Sequence, residues 1–360
     1  MMKADLKPRT TGQTHKLTRE EFMERFHAKF HDPNFDKVRK NIEEIGQIAW
    51  ENYQEGRKAP NTQPAGENYT DPNYQLSIDW INAKKDIEIA QKLHDDQTLK
   101  SNVLLIIASD RNEGTCPGEY SKTSRLAHAA QKVLEEEALK VEVLDLSLIT
   151  AEYGKNIFPC KGCVSTAMPL CHWPCSCYPN HSLNQTNDWM NEIYSKWVRA
   201  HGVMIITPVY WHQAPSALKL MMDRLVCADG GNDDPTSTQG KKAEIAKKIE
   251  MDGWHYPRHL KGRIYSVIVH GDAVGIETLR NNLAGWLDDM RLLPAPPLSQ
   301  LARYIGYYEP YAISHQALDK DYALFTEVEN AARGLALTIE HIRKEGLEAF
   351  TPRVKEPRPK

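Results

Sequence analysis

Two kinds of hydrophobic pattern alternate along the chain. Short apolar runs at Val103–Ala108, Val141–Leu146, Val203–Thr207 and Ile264–Val269 read as strands of a buried parallel sheet. A fifth, weaker strand is expected between Ser299 and Ile305. Between these runs, apolar positions recur at helical spacing: Leu126, Ala130, Val133 and Leu134, then Trp189, Ile193 and Trp197, then Leu218, Met221, Met222 and Leu225, then Leu279, Leu283, Trp286, Leu287 and Met290. Pro215 suits the first turn of the third of these helices. Strands alternating with helices imply an α/β protein built on a doubly wound, five-stranded parallel sheet. Such a sheet binds its ligand beyond the carboxyl ends of the strands, where the strand order reverses.

Residues 1–100 read as a helical N-terminal extension and linker. Thr18 and Glu21 form a capping box, and Phe22, Phe26 and Phe30 follow every four residues. Val38, Ile42, Ile45 and Trp50 mark a second helix, and Gly56 to Asn73 reads as a polar linker lying on a surface. Leu76, Trp80, Ile81, Ile87 and Leu93 mark a third helix, whose apolar face needs cover from the main domain or a second subunit. The main domain spans 101–310 with a polar insertion at about 228–262. Residues 311–360 supply a C-terminal amphipathic helix (Leu324, Val328, Leu335, Ile339, Ile342) and a charged tail.

Three loops leave the strand ends, at 109–124, 208–215 and 270–275. In the first, Ser109, Arg111, Ser121, Lys122, Thr123 and Ser124 place hydroxyls and two cations ahead of a helix N-terminus, an arrangement suited to a phosphate. Taken alone, this loop could equally be an ordinary helix cap. It matches neither the Walker A pattern nor the G-x-G-x-x-G fingerprint. With a net charge of −3 over 360 residues, nothing favours a nucleic-acid or anionic-membrane partner. The first residues, MMKADLKPRTTGQTHK, lack the apolar core of a signal peptide, and no apolar run is long enough to span a bilayer. A cytoplasmic protein is expected.

That compartment gives the seven cysteines a metal or redox role before a structural-disulfide one. Cys160, Cys163, Cys171, Cys175 and Cys177 crowd one segment with the spacing C-x2-C-x7-C-x3-C-x-C. Four of their thiolates could bind a [4Fe–4S] cluster or zinc; the alternatives are packed free thiols or a redox-active disulfide pair. His172 could replace one thiolate, though a surface role is commoner. His255 and His259 are expected to be solvated, and Cys116 and Cys227 to be packing residues.

Together the three loops resemble the NADPH-dependent FMN reductase family, which has a flavodoxin-like fold. SDRNEGTCPGEYSKTSRL is similar to a lengthened form of its phosphate loop, and VIVHGDAVG to its strand–glycine loop. TPVYWHQAPSALKLMMDRL matches a further family segment at Pro208, Tyr210, Pro215, Leu218, Lys219, Asp223 and Arg224. The resemblance places an FMN phosphate against Ser109, Arg111, Lys122 and Thr123, with Ser121 or Ser124. It places the flavin ring against Pro208, Val209, Tyr210, Trp211 and His212, with Gly271 and Asp272 at its far edge. Lys219, Asp223 and Arg224 then read as an ion-pair network stiffening the helix. Asp110 departs from the family pattern and would repel a phosphate unless it points away or pairs with Arg111. Within the iron-sulfur flavoprotein branch, Cys160 and Cys163 match the first two ligands, Thr166 stands where the third belongs, and Asn187-Asp-Trp-Met190 resembles the helix start that follows. The resemblance implies an FMN-dependent oxidoreductase that passes hydride from NAD(P)H to flavin and on to a small quinone, flavin or nitroaromatic acceptor. It needs no side-chain nucleophile or general base, and it implies a homo-oligomer. The alternatives are a flavin/iron-sulfur electron-transfer protein working between protein partners, and a regulatory, non-flavin use of the fold.

Overall fold

The computed structural model describes residues 9–10, 16–112, 114–115 and 121–346, so Cys116 lies outside the described residues. Its centre is a parallel sheet of β1 (Asn102–Ile107), β2 (Lys140–Asp145), β3 (Gly202–Pro208), β4 (Ile264–Gly271) and β5 (Gln300–Tyr304), in the order β2-β1-β3-β4-β5. Every residue of β1 and β3 is buried, as their unbroken apolar runs require. At the edge, β2 alternates polar and apolar residues, and its Glu142 pairs with Lys196 and Arg199. The opposite edge is broken in two. Leu293–Pro294 pairs with the start of β4 and β5 with its end, so a short sixth segment adds to the five strands expected. Pro294, Pro296 and Pro297 cannot donate to a ladder, which accounts for the break.

Before the sheet come α1 (Arg19–His27), α2 (Arg39–Glu55) and α3 (Ile78–Asp95). The capping box forms: Thr18 Oγ1 accepts from the Glu21 amide, and the Glu21 carboxylate accepts from the Thr18 amide. Phe22 packs on Trp50 and Tyr53, joining α1 to α2, while Ile45 and Ile48 of α2 remain exposed. The main domain covers much of α3: Trp80 Nε1 donates to the Pro174 carbonyl at 2.8 Å, and Ile87 and Ala90 join the core around β1 and β3.

Helices cover both faces of the sheet. One face carries α4 (Lys122–Glu136) and, from the C-terminal segment, the 24-residue helix Tyr322–Glu345; the other carries α5 (Met190–Arg199) and α6 (Ser216–Arg224) beside α3. Pro215 takes the capping position of α6, one residue before its first turn. The insertion holds a further helix, α7 (Ala243–Met251), and α8 (Ile276–Asp289) follows β4. α9 (Tyr311–Leu318) then leads into that long helix, α10 (Tyr322–Glu345). Among the described residues no helix is long and apolar enough to cross a membrane.

Three stretches outside the sheet fold onto one another. In the stretch read as a linker, Arg57–Ala59 pairs with Arg9–Thr10 and Thr62–Pro64 with Gln75–Ser77. Thr70 donates to Asp234 of the insertion, and Lys58 to the Ser176 carbonyl of the cysteine segment. Asn232 exchanges backbone bonds with Cys171 and Trp173, both at 2.7 Å. On α6, Lys219 pairs with Asp223, but Arg224 leaves that expected network. It is fully buried, donates to both carboxylate oxygens of Asp188 and to the Phe158 carbonyl, and lies 4.7 Å from the Tyr178 ring centre.

Candidate functional site

Where β1 and β3 diverge in connection, a cleft of about 460 Å³ opens at the carboxyl ends of the strands. The loop after β1 contributes Ser109, Asp110 and Arg111, and the first turn of α4 with its cap contributes Ser121, Lys122 and Thr123. Pro208, Val209 and Tyr210 follow β3, His270, Gly271 and Asp272 end β4, and Ile305 follows β5. All the cofactor-binding candidates read from the sequence are therefore brought together except Ser124, Trp211 and His212.

Local chemistry explains both the gathering and the exceptions. Ser121 caps α4 by accepting from the Ser124 amide at 3.3 Å, and Ser124 does not line the cleft. The remaining first-turn N–H groups and the positive helix end face out of the helix terminus. Ser109 Oγ accepts from the Arg111 amide at 3.1 Å, bending the loop back on itself, and Lys122 Nζ donates to the Ile305 carbonyl at 3.4 Å. After β3, Tyr210 and Gln213 exchange backbone bonds at 2.9 and 2.8 Å around a two-residue tip. The tip residues Trp211 and His212 have φ of 45° and 66°, the left-handed conformations of a type I′ turn. That turn throws Trp211 into solvent, 94% exposed. Gly275 allows it: with φ of 99°, its missing Cβ would sit 2.9 Å from the His212 Cα.

Two residues of the cleft were missed in the sequence, and for a third, Asp110, two readings were left open. Asp110 points away from the end lined by Arg111 and Lys122: its carboxylate accepts from Ser216 Oγ at 2.9 Å and from the Ala217 amide at 3.1 Å, capping α6. Pro215, at the cap position, has no side-chain acceptor, so the cap comes from another loop. His270 is buried, and its Nε2 shares a 2.9 Å hydrogen bond with Thr123 Oγ1. Burial, reinforced by the Lys122 charge, pushes its pKa down to about 3, so the ring is neutral. The only sequence signal for it was its place at a strand's carboxyl end. Ile305 carried none. The cleft thus has one end lined by Arg111, Lys122, hydroxyls and a helix terminus, and one wall of Pro208, Val209 and Tyr210.

The cysteine segment stands apart from this lining. Cys160 and Cys163 are half-buried, while Cys171, Cys175 and Cys177 are buried. Among the described residues no group of three or more His, Cys, Asp or Glu side chains is arranged to hold a metal ion. His172, read as a surface residue or substitute ligand, is buried; its ring nitrogens meet Ser176 Oγ at 2.6 Å and Thr238 Oγ1 at 3.0 Å. Nor is His259 solvated. It stacks on Trp173 with centroids 4.8 Å apart and bonds the Gly231 carbonyl at 2.8 Å. Cys227 is fully buried, as a packing residue should be.

No curated protein matches this sequence. Among solved structures, the chain is similar to RosB, determined with bound 8-demethyl-8-formylriboflavin-5'-phosphate: 15% identity over 73% of this chain and 92% of that one, TM-score 0.45. It is also similar to a flavone reductase, at 16% identity over 67% and 64% of the two chains and a TM-score of 0.38. An oxidoreductase from Corynebacterium diphtheriae aligns at 12% identity over 67% and 98%, with a TM-score of 0.38. The model of the NADPH-dependent FMN reductases matches residues 101–288, just over half of the chain, and the protein belongs to that family.

Proposed function

We propose that the cleft binds FMN and that the protein is an NAD(P)H-dependent oxidoreductase delivering electrons to a small, flat acceptor such as a quinone, a free flavin or a nitroaromatic compound. The observation that carries this reading is the division of the cleft into a cationic, donor-rich end and an apolar wall. Arg111, Lys122, the first-turn N–H groups of α4 and the hydroxyls of Ser109, Ser121 and Thr123 suit a phosphate dianion. Pro208, Val209 and Tyr210 suit the face of a planar ring, with Gly271 and Asp272 at its rim. FMN, when bound, supplies the two-electron redox chemistry. The chain's own residues bind and orient. Neutral His270 holds the Thr123 hydroxyl at the phosphate end, and Asp110 is kept off the anion by its bonds to α6. Beside Tyr210, the exposed Trp211 offers an aromatic surface at the mouth to nicotinamide, acceptor or a second subunit. The reading includes a homo-oligomer, which the exposed Ile45 and Ile48 also support.

The test is direct. Full-length protein should take up one FMN per chain, and anaerobic NADPH or NADH should bleach its visible absorption within seconds. Replacing Arg111 and Lys122 together by Gln should weaken FMN binding about 100-fold, the loss of two charge-assisted contacts. Failure to take up FMN would sink the proposal. Uptake without nicotinamide-driven bleaching would favour the electron carrier.

A further inference from the structure

Two separate segments bring a thiol pair and an ammonium together away from the cleft. Cys163 and Cys177 stand at either side of the cysteine segment, their sulfurs 3.6 Å apart. Lys241 reaches in from the insertion and donates to both, at 3.2 Å to Cys163 and 3.0 Å to Cys177. The Cys177 amide also donates to Cys175 Sγ at 3.5 Å. An ammonium shared between two sulfurs stands where a bound cation would have to sit. The nearby His172 already spends both ring nitrogens on hydroxyls. The cluster is thus built around one negative charge on sulfur rather than around a metal.

Lys241 lies nearer Cys177 than Cys163, 3.0 Å against 3.2 Å, which favours Cys177 as the thiolate of the pair. Hydrogen bonds from the Cys163 and Cys175 thiols, then the Lys241 ammonium, hold Cys177 far below the ordinary thiol range against the opposing effect of burial. The bond to Cys177, with burial, raises Cys163, which stays protonated. Lys58, whose pKa burial and then Arg9 and Lys241 lower to about 7, adds a second amine beside them.

We infer that Cys163 and Cys177 form a peroxide-oxidisable dithiol in which Cys177 attacks, Cys163 resolves and Lys241 positions the thiolate. The Cys177 thiolate attacks one peroxide oxygen, the O–O bond breaks, and the departing hydroxide takes a proton from solvent, leaving a sulfenic acid. The Cys163 sulfur then displaces the hydroxyl from Cys177. An S–S bond forms as the S–O bond breaks, and the Cys163 proton leaves with the hydroxyl as water. Two electrons pass from the thiols to the peroxide, and a dithiol reductant reverses the change. Cys177 is only 5% exposed, so the oxidant argued for is a small one, hydrogen peroxide, rather than a bulky disulfide.

The experiment uses full-length protein reduced with dithiothreitol, freed of it, and titrated with hydrogen peroxide before alkylation and peptide mapping. One disulfide linking Cys163 to Cys177 is expected, with two alkylatable thiols lost per chain and both regained on reduction. In Cys163→Ser the reaction should halt at Cys177 sulfenic acid, captured by dimedone when the oxidised protein is unfolded in urea. Lys241→Met should slow Cys177 oxidation about tenfold or more, and Lys241→Arg should restore most of the rate. Melting curves identify any variant that fails to fold, and the wild-type and Cys163→Ser arms decide the matter without it. A disulfide between other cysteines, no reaction at Cys177 beyond that of an ordinary buried thiol, or stoichiometric zinc or iron shielding the pair would each overturn the inference.

Discussion

Thr123 and His270 meet at the floor of the cleft, and the consequences of that contact can be measured one atom at a time. Thr123→Val keeps the side-chain shape but removes the oxygen facing His270 Nε2. A buried ring nitrogen left unpaired costs about 1–3 kcal/mol, and on the proposed reading a hydroxyl contact to the FMN phosphate goes with it. The expected outcome is about tenfold weaker FMN binding, read by flavin fluorescence titration, with a lower melting temperature. Sequence reasoning found Thr123 because it sits in a polar loop ahead of a helix, a local signal. It could not find His270 as its partner, since 147 positions separate them and a histidine ending a strand has many commoner uses. Asp110 was read as repelling a phosphate unless it pointed away or paired with Arg111; it points away, and its work as the cap of α6 depends on contacts 106 and 107 positions away.

Among the elements, the turn after β3 and the loop after β4 are fitted to each other through two glycines of unequal tolerance. A Cβ at Gly271 would meet Val209 Cγ1 at 2.7 Å, a methyl that can rotate away. At Gly275 it would meet the His212 backbone, which cannot, and φ there is 99°. Gly271→Ala should therefore cost about 1 kcal/mol and Gly275→Ala about 2–3 kcal/mol, compared by urea unfolding. The strands and long helices were legible because unbroken runs and helical periodicity are strong signals; Val103–Ala108 and the Leu126 helix fall where the pattern placed them. Two- and three-residue strands such as Arg57–Ala59 carry no period, so that stretch read as a linker. Nor could spacing show that Trp211 and His212 adopt left-handed conformations, which β-turn statistics reserve mainly for Gly and Asn.

Across the whole molecule, neutral buried and half-buried histidines make stability depend on acidity. Burial first, and then neighbouring cations, lowers His94 to about 3 and His201 to about 4. Burial likewise lowers His259 to about 4 and His270 to about 3. Unfolded imidazoles take up protons below about pH 6.5, so between there and pH 4 the unfolded chain binds more protons than the folded one. The stabilisation is complete above pH 6.5 and is lost as the pH falls. His270 alone accounts for about 1.4 kcal/mol per pH unit in that window. Urea midpoints at pH 7.5, 6 and 5 should fall steeply, and a flat profile would contradict the neutral rings.

The cover that α3 and α10 give the sheet has a practical corollary. The 101–288 stretch that defines the family stops short of β5 and α10 and starts after α3. Cut out and expressed by itself, it would bare Leu104, Ile106 and Ile268, with their neighbours, to water, and should collect in inclusion bodies. Residues 78–346 should remain in the supernatant and melt in one cooperative step.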